Sequence, residues 1–147
     1  MSGAYVAEAV RRRVAEAAAR RCGYRQTQEE IVGYTLHIEH ILPLAAGGTS
    51  NEENLWLACF VCNNAKGTQT RGLDPETGAE VLLFNPRTQS WMEHFAWSTD
   101  GTEVAGTSPV GRATVLALQL NTPLRCEARR RWVAVGWHPP TSRPITG

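Results

Sequence analysis

Valines recur every four residues at positions 6, 10 and 14, and Ala17 and Ala18 extend the same narrow apolar stripe. That period predicts an amphipathic helix over residues 5–21. The rhythm then changes. Residues 36–42, LHIEHIL, are strand-like, rich in β-branched or bulky side chains, and Pro43 ends the run. The glycines, serine and asparagines of AAGGTSNEEN (45–54) predict a loop. LWLA (55–58) is a short apolar strand, and CFVCNNAKG (59–67) fits a short helix that ends at Gly67.

The second half is punctuated differently. LDPETG (73–78) predicts a turn into a strand over 80–84, where Val81 and Leu83 alternate with Leu82 and Phe84. After a turn at 85–87, Trp91, Phe95 and Trp97 fall on one face of a further strand. STDGT (98–102) then makes a hairpin turn into 103–105. Thr107 or Ser108 with Pro109 opens a helix to about residue 120, and Thr122 with Pro123 opens a second, ending near Gly136. Residues 138–147, HPPTSRPITG, read as a loose tail. There is no internal repeat.

A length of 147 residues suits one domain or one domain with a small annex, and 42% hydrophobic residues argue against wholesale disorder. No apolar run reaches the roughly 20 residues that span a bilayer. The alanine-rich start is interrupted by Glu8, Arg11, Arg12, Arg13 and Glu16, unlike a signal-peptide core, so a cytoplasmic protein without membrane attachment is expected. In that setting four cysteines point to metal or buried thiols rather than disulfides.

The net charge of +1 hides an uneven distribution. Residues 1–25 carry six arginines against two glutamates, and residues 123–147 five arginines against one glutamate. The stretch between holds four basic and eleven acidic residues. Basic ends around an acidic middle suit either a phosphate-binding surface with a metal centre or plain solvated helix faces.

Residues 37–67 hold an ordered set of chemically distinct parts: Glu39–His40, Pro43, Gly47–Gly48, Asn54–Leu55, Cys59, Cys62, Asn63, Lys66 and Gly67. In composition and spacing this segment resembles the HNH endonucleases, the ββα-metal nuclease family. The resemblance implies an α+β fold: a ββα-metal (HNH) core with an N-terminal helix and a C-terminal extension of a small antiparallel sheet plus two helices. The expected organisation is an N-terminal helix at 1–21, the HNH module at 22–70, an extension at 71–137 packed on it, and the tail at 138–147.

Phosphodiester hydrolysis needs a nucleophile made from water, relief of charge at the phosphate and stabilisation of the leaving oxygen. The resemblance assigns the general base to His40, whose imidazole has an ordinary pKa near cellular pH. It assigns a hard divalent cation, Mg²⁺ or Mn²⁺, to the carboxylate of Glu39 and the amide of Asn63. Asn54 would brace the loop that aims His40. His37 lies on the Glu39 side of an extended strand, as an extra metal ligand, a partner to a ligand, or a surface residue. Lys66 and Arg71 are the candidate DNA contacts, Lys66 alternatively serving as a helix C-terminal charge.

Many HNH proteins also hold a structural zinc on two C-x-x-C pairs. Cys59 and Cys62 form the second pair, but in RCGYRQ Cys22 is followed at the second cysteine position by Arg25. Zinc on Cys22, Cys59 and Cys62 with another ligand, metal-free buried thiols, or Arg25 paired with a thiolate are the three outcomes. Cys126 reads as a small core residue. In the extension, Arg87, His94, Arg125 and residues 129–131 are candidates for a DNA-binding surface, and Trp91 and Trp97 for base stacking or core packing. The expected activity is metal-dependent DNA cleavage, by nicking or double-strand scission. The alternatives are a catalytically inactive nucleic-acid-binding module of the same fold, favoured by Arg25, and a zinc-stabilised protein-interaction domain. No residue pattern names a base sequence, a pathway or an oligomeric state.

Overall fold

Helix α1 (Glu8–Ala17) buries Val14 and Ala15 against the strand that follows it in space. It stops short of residue 21. The N–H of Arg20 bonds back to the carbonyl of Ala15, and Ala19 and Arg20 take left-handed backbone angles. That reversal leads into a knuckle at residues 22–27, closed by bonds from Cys22 N–H to Thr27 and from Gln26 N–H to Cys22. The computed structural model describes residues 5–140.

The knuckle and a one-turn helix α2 (Glu29–Val32) lead to β1 (His37–His40). Strand β1 pairs antiparallel with β2 (Leu55–Ala58), with His37 opposite Ala58 and His40 opposite Leu55. Two 3₁₀ turns, Leu44–Ala46 and Glu52–Asn54, punctuate the connecting loop. All four residues of β2 are buried, because α1 covers this hairpin and α3 (Phe60–Lys66) follows directly and packs on β1. Gly23 docks the knuckle on β2 through its N–H to Leu57, and a Cβ there would sit 2.5 Å from the Trp56 ring.

The extension contains two separate hairpins rather than one small sheet: β3 (Arg71–Leu73) with β4 (Glu80–Leu82), and β5 (Phe95–Trp97) with β6 (Val104–Gly106). Helix α5 (Pro109–Ala117) joins them by packing on β3, β4 and β6. Arg112 of α5 clamps the buried Asp74 of the β3–β4 turn at 2.9 and 3.0 Å. The Ser108 and Thr122 hydroxyls cap α5 and α6 (Pro123–Ala134). The strand expected across Trp91, Phe95 and Trp97 begins instead as a helical turn, α4 (Trp91–His94). That turn places residue 91 above residue 95, and the two rings stack at 5.2 Å. Trp91 and Trp97 are thus packing residues. The apolar core runs without a break from Val14, Tyr24 and Leu57 to Phe84, Phe95 and Leu120. Among the described residues no helix is long and apolar enough to cross a membrane.

The expected loose tail is partly docked; residues 141–147 lie outside the described residues. His138 is 5% exposed, edge-on to Trp97 at 4.4 Å, with Nε2 3.1 Å from the Gly101 carbonyl oxygen. Burial, then Arg129 and more weakly Arg25, pull its pKa down to about 4, against the Gly101 carbonyl. A base depressed in the fold contributes stability that is complete above its ordinary 6.5 and lost as pH falls towards about 4. The melting temperature is therefore expected to fall across that window, and less steeply in a His138→Phe variant. An identical slope in both chains would refute the assignment to His138.

Candidate active site

Alternation along β1 sorts its side chains. His37 is exposed, Ile38 and His40 are half-buried, and Glu39 is buried. The loop from Leu42 to Asn54 then folds back over His40, closed by one side chain. The Asn54 amide donates to the carbonyls of Leu42 (2.9 Å) and Thr49 (2.7 Å), and its oxygen accepts from Leu42 N–H (2.9 Å). Gly48 is needed at the crossing, since any Cβ there would collide with the Leu42 carbonyl. The loop brings Ser50 Oγ to 3.0 Å from His40 Nε2. Burial, and secondarily Lys66, lower the His40 pKa, so the ring is neutral at cellular pH and one nitrogen is a free base.

His40 opens onto a groove of about 440 Å³ shared with Arg11, Thr35, Leu36, His37 and Ile38. Arg11 is exposed and anchored through Nε to the Val6 carbonyl at 3.1 Å. His37 packs between Tyr34 and Phe60, with ring centroids 6.3 and 6.0 Å away.

Glu39 points into the protein. One carboxylate oxygen, Oε2, accepts from the Tyr24 hydroxyl at 2.5 Å and pairs with Lys66 Nζ at 3.1 Å. The other, Oε1, is buried with no hydrogen-bond partner among the described residues. Burial outweighs the ammonium and the Tyr24 hydroxyl, so the carboxyl pKa is raised. Lys66 is 3% exposed, and its ammonium also donates to the Ile41 carbonyl at 3.0 Å. It therefore does not reach outward for a DNA phosphate; its own methylene stem carries the ammonium inward to a buried carboxylate. Arg71 is exposed. Asn63 lies one turn before Lys66 on the same side of α3 and is half-buried.

Residues 20–69 match the HNH endonuclease family. This segment is an HNH domain. Its bounds take in the knuckle, the hairpin and α3, about a third of the chain. No curated protein and no solved structure matches the chain.

Within the HNH domain, Cys22, Cys59 and Cys62 are buried with their sulfurs within 4.8 Å of one another, a group that could hold a metal ion. Cys59 caps α3 by accepting the Cys62 N–H. Its pKa is driven well below the usual thiol value by hydrogen bonds from the Cys22 and Cys62 thiols, with Arg25 assisting, while burial raises those of Cys22 and Cys62. Arg25 Nε donates to Cys59 Sγ at 3.0 Å, and Arg125 of α6 to Cys62 Sγ at 2.8 Å. Cys126 is free and only partly buried.

The basic residues expected on a DNA-binding face of the extension are mostly inside. Arg87 lies 5.0 Å over the Trp56 ring and donates to the Leu55 carbonyl, His94 Nδ1 meets Ser108 Oγ, and Arg129 is fully buried against main-chain carbonyls. Only Arg130 and Arg131 of that set are exposed, both paired with Glu127. Tyr24, Ser50 and Arg11 are not singled out by the sequence, and Arg125, expected on a DNA-binding surface, is buried against Cys62 instead. Tyr24 could have been suspected from its place in the knuckle; Arg125 carries no local signal.

Proposed function

We propose that this HNH domain is a metal-dependent endonuclease acting on DNA, with His40 as general base. The observation that carries the reading is a neutral, half-buried imidazole at an open groove, in a loop locked by Asn54, next in sequence to a buried carboxylate. His40 takes a proton from water as the water oxygen bonds to phosphorus and the bond to the 3′ oxygen breaks. The Ser50 hydroxyl holds the ring in its working orientation. Arg11, in the same groove, offers its guanidinium to a backbone phosphate.

Glu39 Oε1 and the Asn63 amide oxygen are hard donors, and Oε1 lacks a partner among the described residues, which suits Mg²⁺ or Mn²⁺. Such an ion, when bound, supplies charge neutralisation at the phosphate and the leaving oxygen. The second reading, an inactive nucleic-acid-binding module, draws on Lys66, whose ammonium already neutralises Glu39 through Oε2.

Supercoiled plasmid incubated with the full chain and Mg²⁺ or Mn²⁺ separates the two. Conversion to the nicked circle, stopped by a chelator, is the expected result. Salt-sensitive DNA binding with no nicking in either metal would reject the nuclease and favour the second reading.

A further inference from the structure

A structural zinc needs four lone-pair donors at about 2.0–2.3 Å. Three sulfurs converge here, and the knuckle sets Arg25, the residue at the missing cysteine's position in the sequence, against one of them. A guanidinium has no lone pair to give and stays charged at any physiological pH. Nor is it idle: its Nε donates to Cys59 Sγ at 3.0 Å. A second cation arrives from 63 residues away, as Arg125 donates to Cys62 Sγ at 2.8 Å. Two permanent positive charges in hydrogen-bonding contact with the sulfurs repel a dication at this point. They also satisfy two of the three buried sulfurs, those of Cys59 and Cys62, that a metal would otherwise have to satisfy.

We infer that this chain braces its HNH domain without zinc, Arg25 and Arg125 taking the ion's place by donating hydrogen bonds to Cys59 and Cys62, so that the C-terminal extension becomes the structural clamp. A zinc ion would tie the knuckle to the start of α3. Here the extension grips both. Arg125 is itself fixed by the carbonyls of Leu118 and Gln119, at 3.1 and 3.2 Å. Arg25 lies 5.8 Å from the ring of Trp132, two turns further along α6. Trp91 Nε1 donates to the carbonyl of Tyr24, the residue before Arg25, at 2.7 Å. The extension thus holds two successive knuckle residues and the second cysteine of α3, the pieces a zinc ion would join. This inference is independent of whether the groove cleaves DNA.

Metal analysis and melting of the full chain test it, with Arg25→Cys as the comparison. Wild-type protein exposed to zinc and dialysed under reducing conditions is expected to retain well under one ion per chain and to melt at the same temperature with or without a strong chelator. Arg25→Cys completes a four-cysteine set and is expected to hold about one zinc per chain and to lose melting temperature when chelated. Arg125→Gln is expected to melt lower than wild type while still taking up no zinc. Stoichiometric zinc in the wild type, with a chelator-induced drop in melting temperature, would overturn the inference. So would a folded Arg25→Cys chain that takes up none. Should Arg25→Cys fail to fold, Co²⁺ added to the reduced wild type decides: thiolate-to-cobalt charge-transfer bands would refute the zinc-free brace, and their absence supports it.

Discussion

Replacing His40 with alanine is expected to slow plasmid nicking by about 10²- to 10⁴-fold, the usual worth of a positioned general base, while DNA binding and melting temperature change little. The asymmetry follows from where His40 sits. Its ring is only half-buried, and the hydroxyl of Ser50 that it meets can be satisfied by solvent once the imidazole is gone. The loop does not depend on it, because Asn54 closes that loop through three main-chain bonds of its own. Affinity for the DNA backbone should rest on Arg11 and other charges rather than on a neutral ring. Single-turnover nicking at saturating protein, measured beside the salt dependence of binding, isolates the chemical step. Nicking by His40→Ala at the wild-type rate would remove His40 from the mechanism while leaving the HNH fold untouched.

Much of this site is visible in the linear sequence because its parts are local. Glu39, His40, Gly48 and Asn54 lie within sixteen residues, and the constraints that place them are turn chemistry and strand alternation, which spacing records. The inward turn of Lys66 is not visible in that way. A lone lysine in the last turn of a helix is equally well explained by the helix dipole, and only the contact between α3 and β1 shows that it meets Glu39. Arg125 is harder still. It reads as one of several arginines on a basic helix, and its partner Cys62 belongs to a different segment of the chain. The one-turn helix α4 is hidden for a related reason. Strands of three residues are too short for alternation to separate from a helical turn, so the aromatic spacing of Trp91, Phe95 and Trp97 reads as one strand where a turn of helix precedes it.

Lys66→Met is expected to destabilise the protein by about 3–5 kcal/mol, the cost of removing one partner from a buried ion pair, which corresponds to a melting temperature lower by roughly 10 °C. Methionine keeps an apolar stem but leaves Glu39 without its ammonium at a site 3% exposed. The carboxyl would then be raised by burial, opposed chiefly by the Tyr24 hydroxyl. A carboxyl raised in the fold contributes stability that is fully present below its ordinary 4.5 and lost as pH climbs through the folded value. The deficit of the variant should accordingly be largest near neutrality and shrink as pH falls towards 4.5. Urea denaturation across that range measures it. Adding Glu39→Gln should recover most of the loss, because the unpaired charge and not the missing stem is the source. The same variant bears on the metal. If Glu39 also serves a divalent cation, Mn²⁺ at about 100 times its dissociation constant should restore about 2.7 kcal/mol to Lys66→Met, and nothing to the double variant. A deficit that ignores both pH and Mn²⁺ would mean that the Lys66 stem, rather than the neutralisation of Glu39, is what the fold requires.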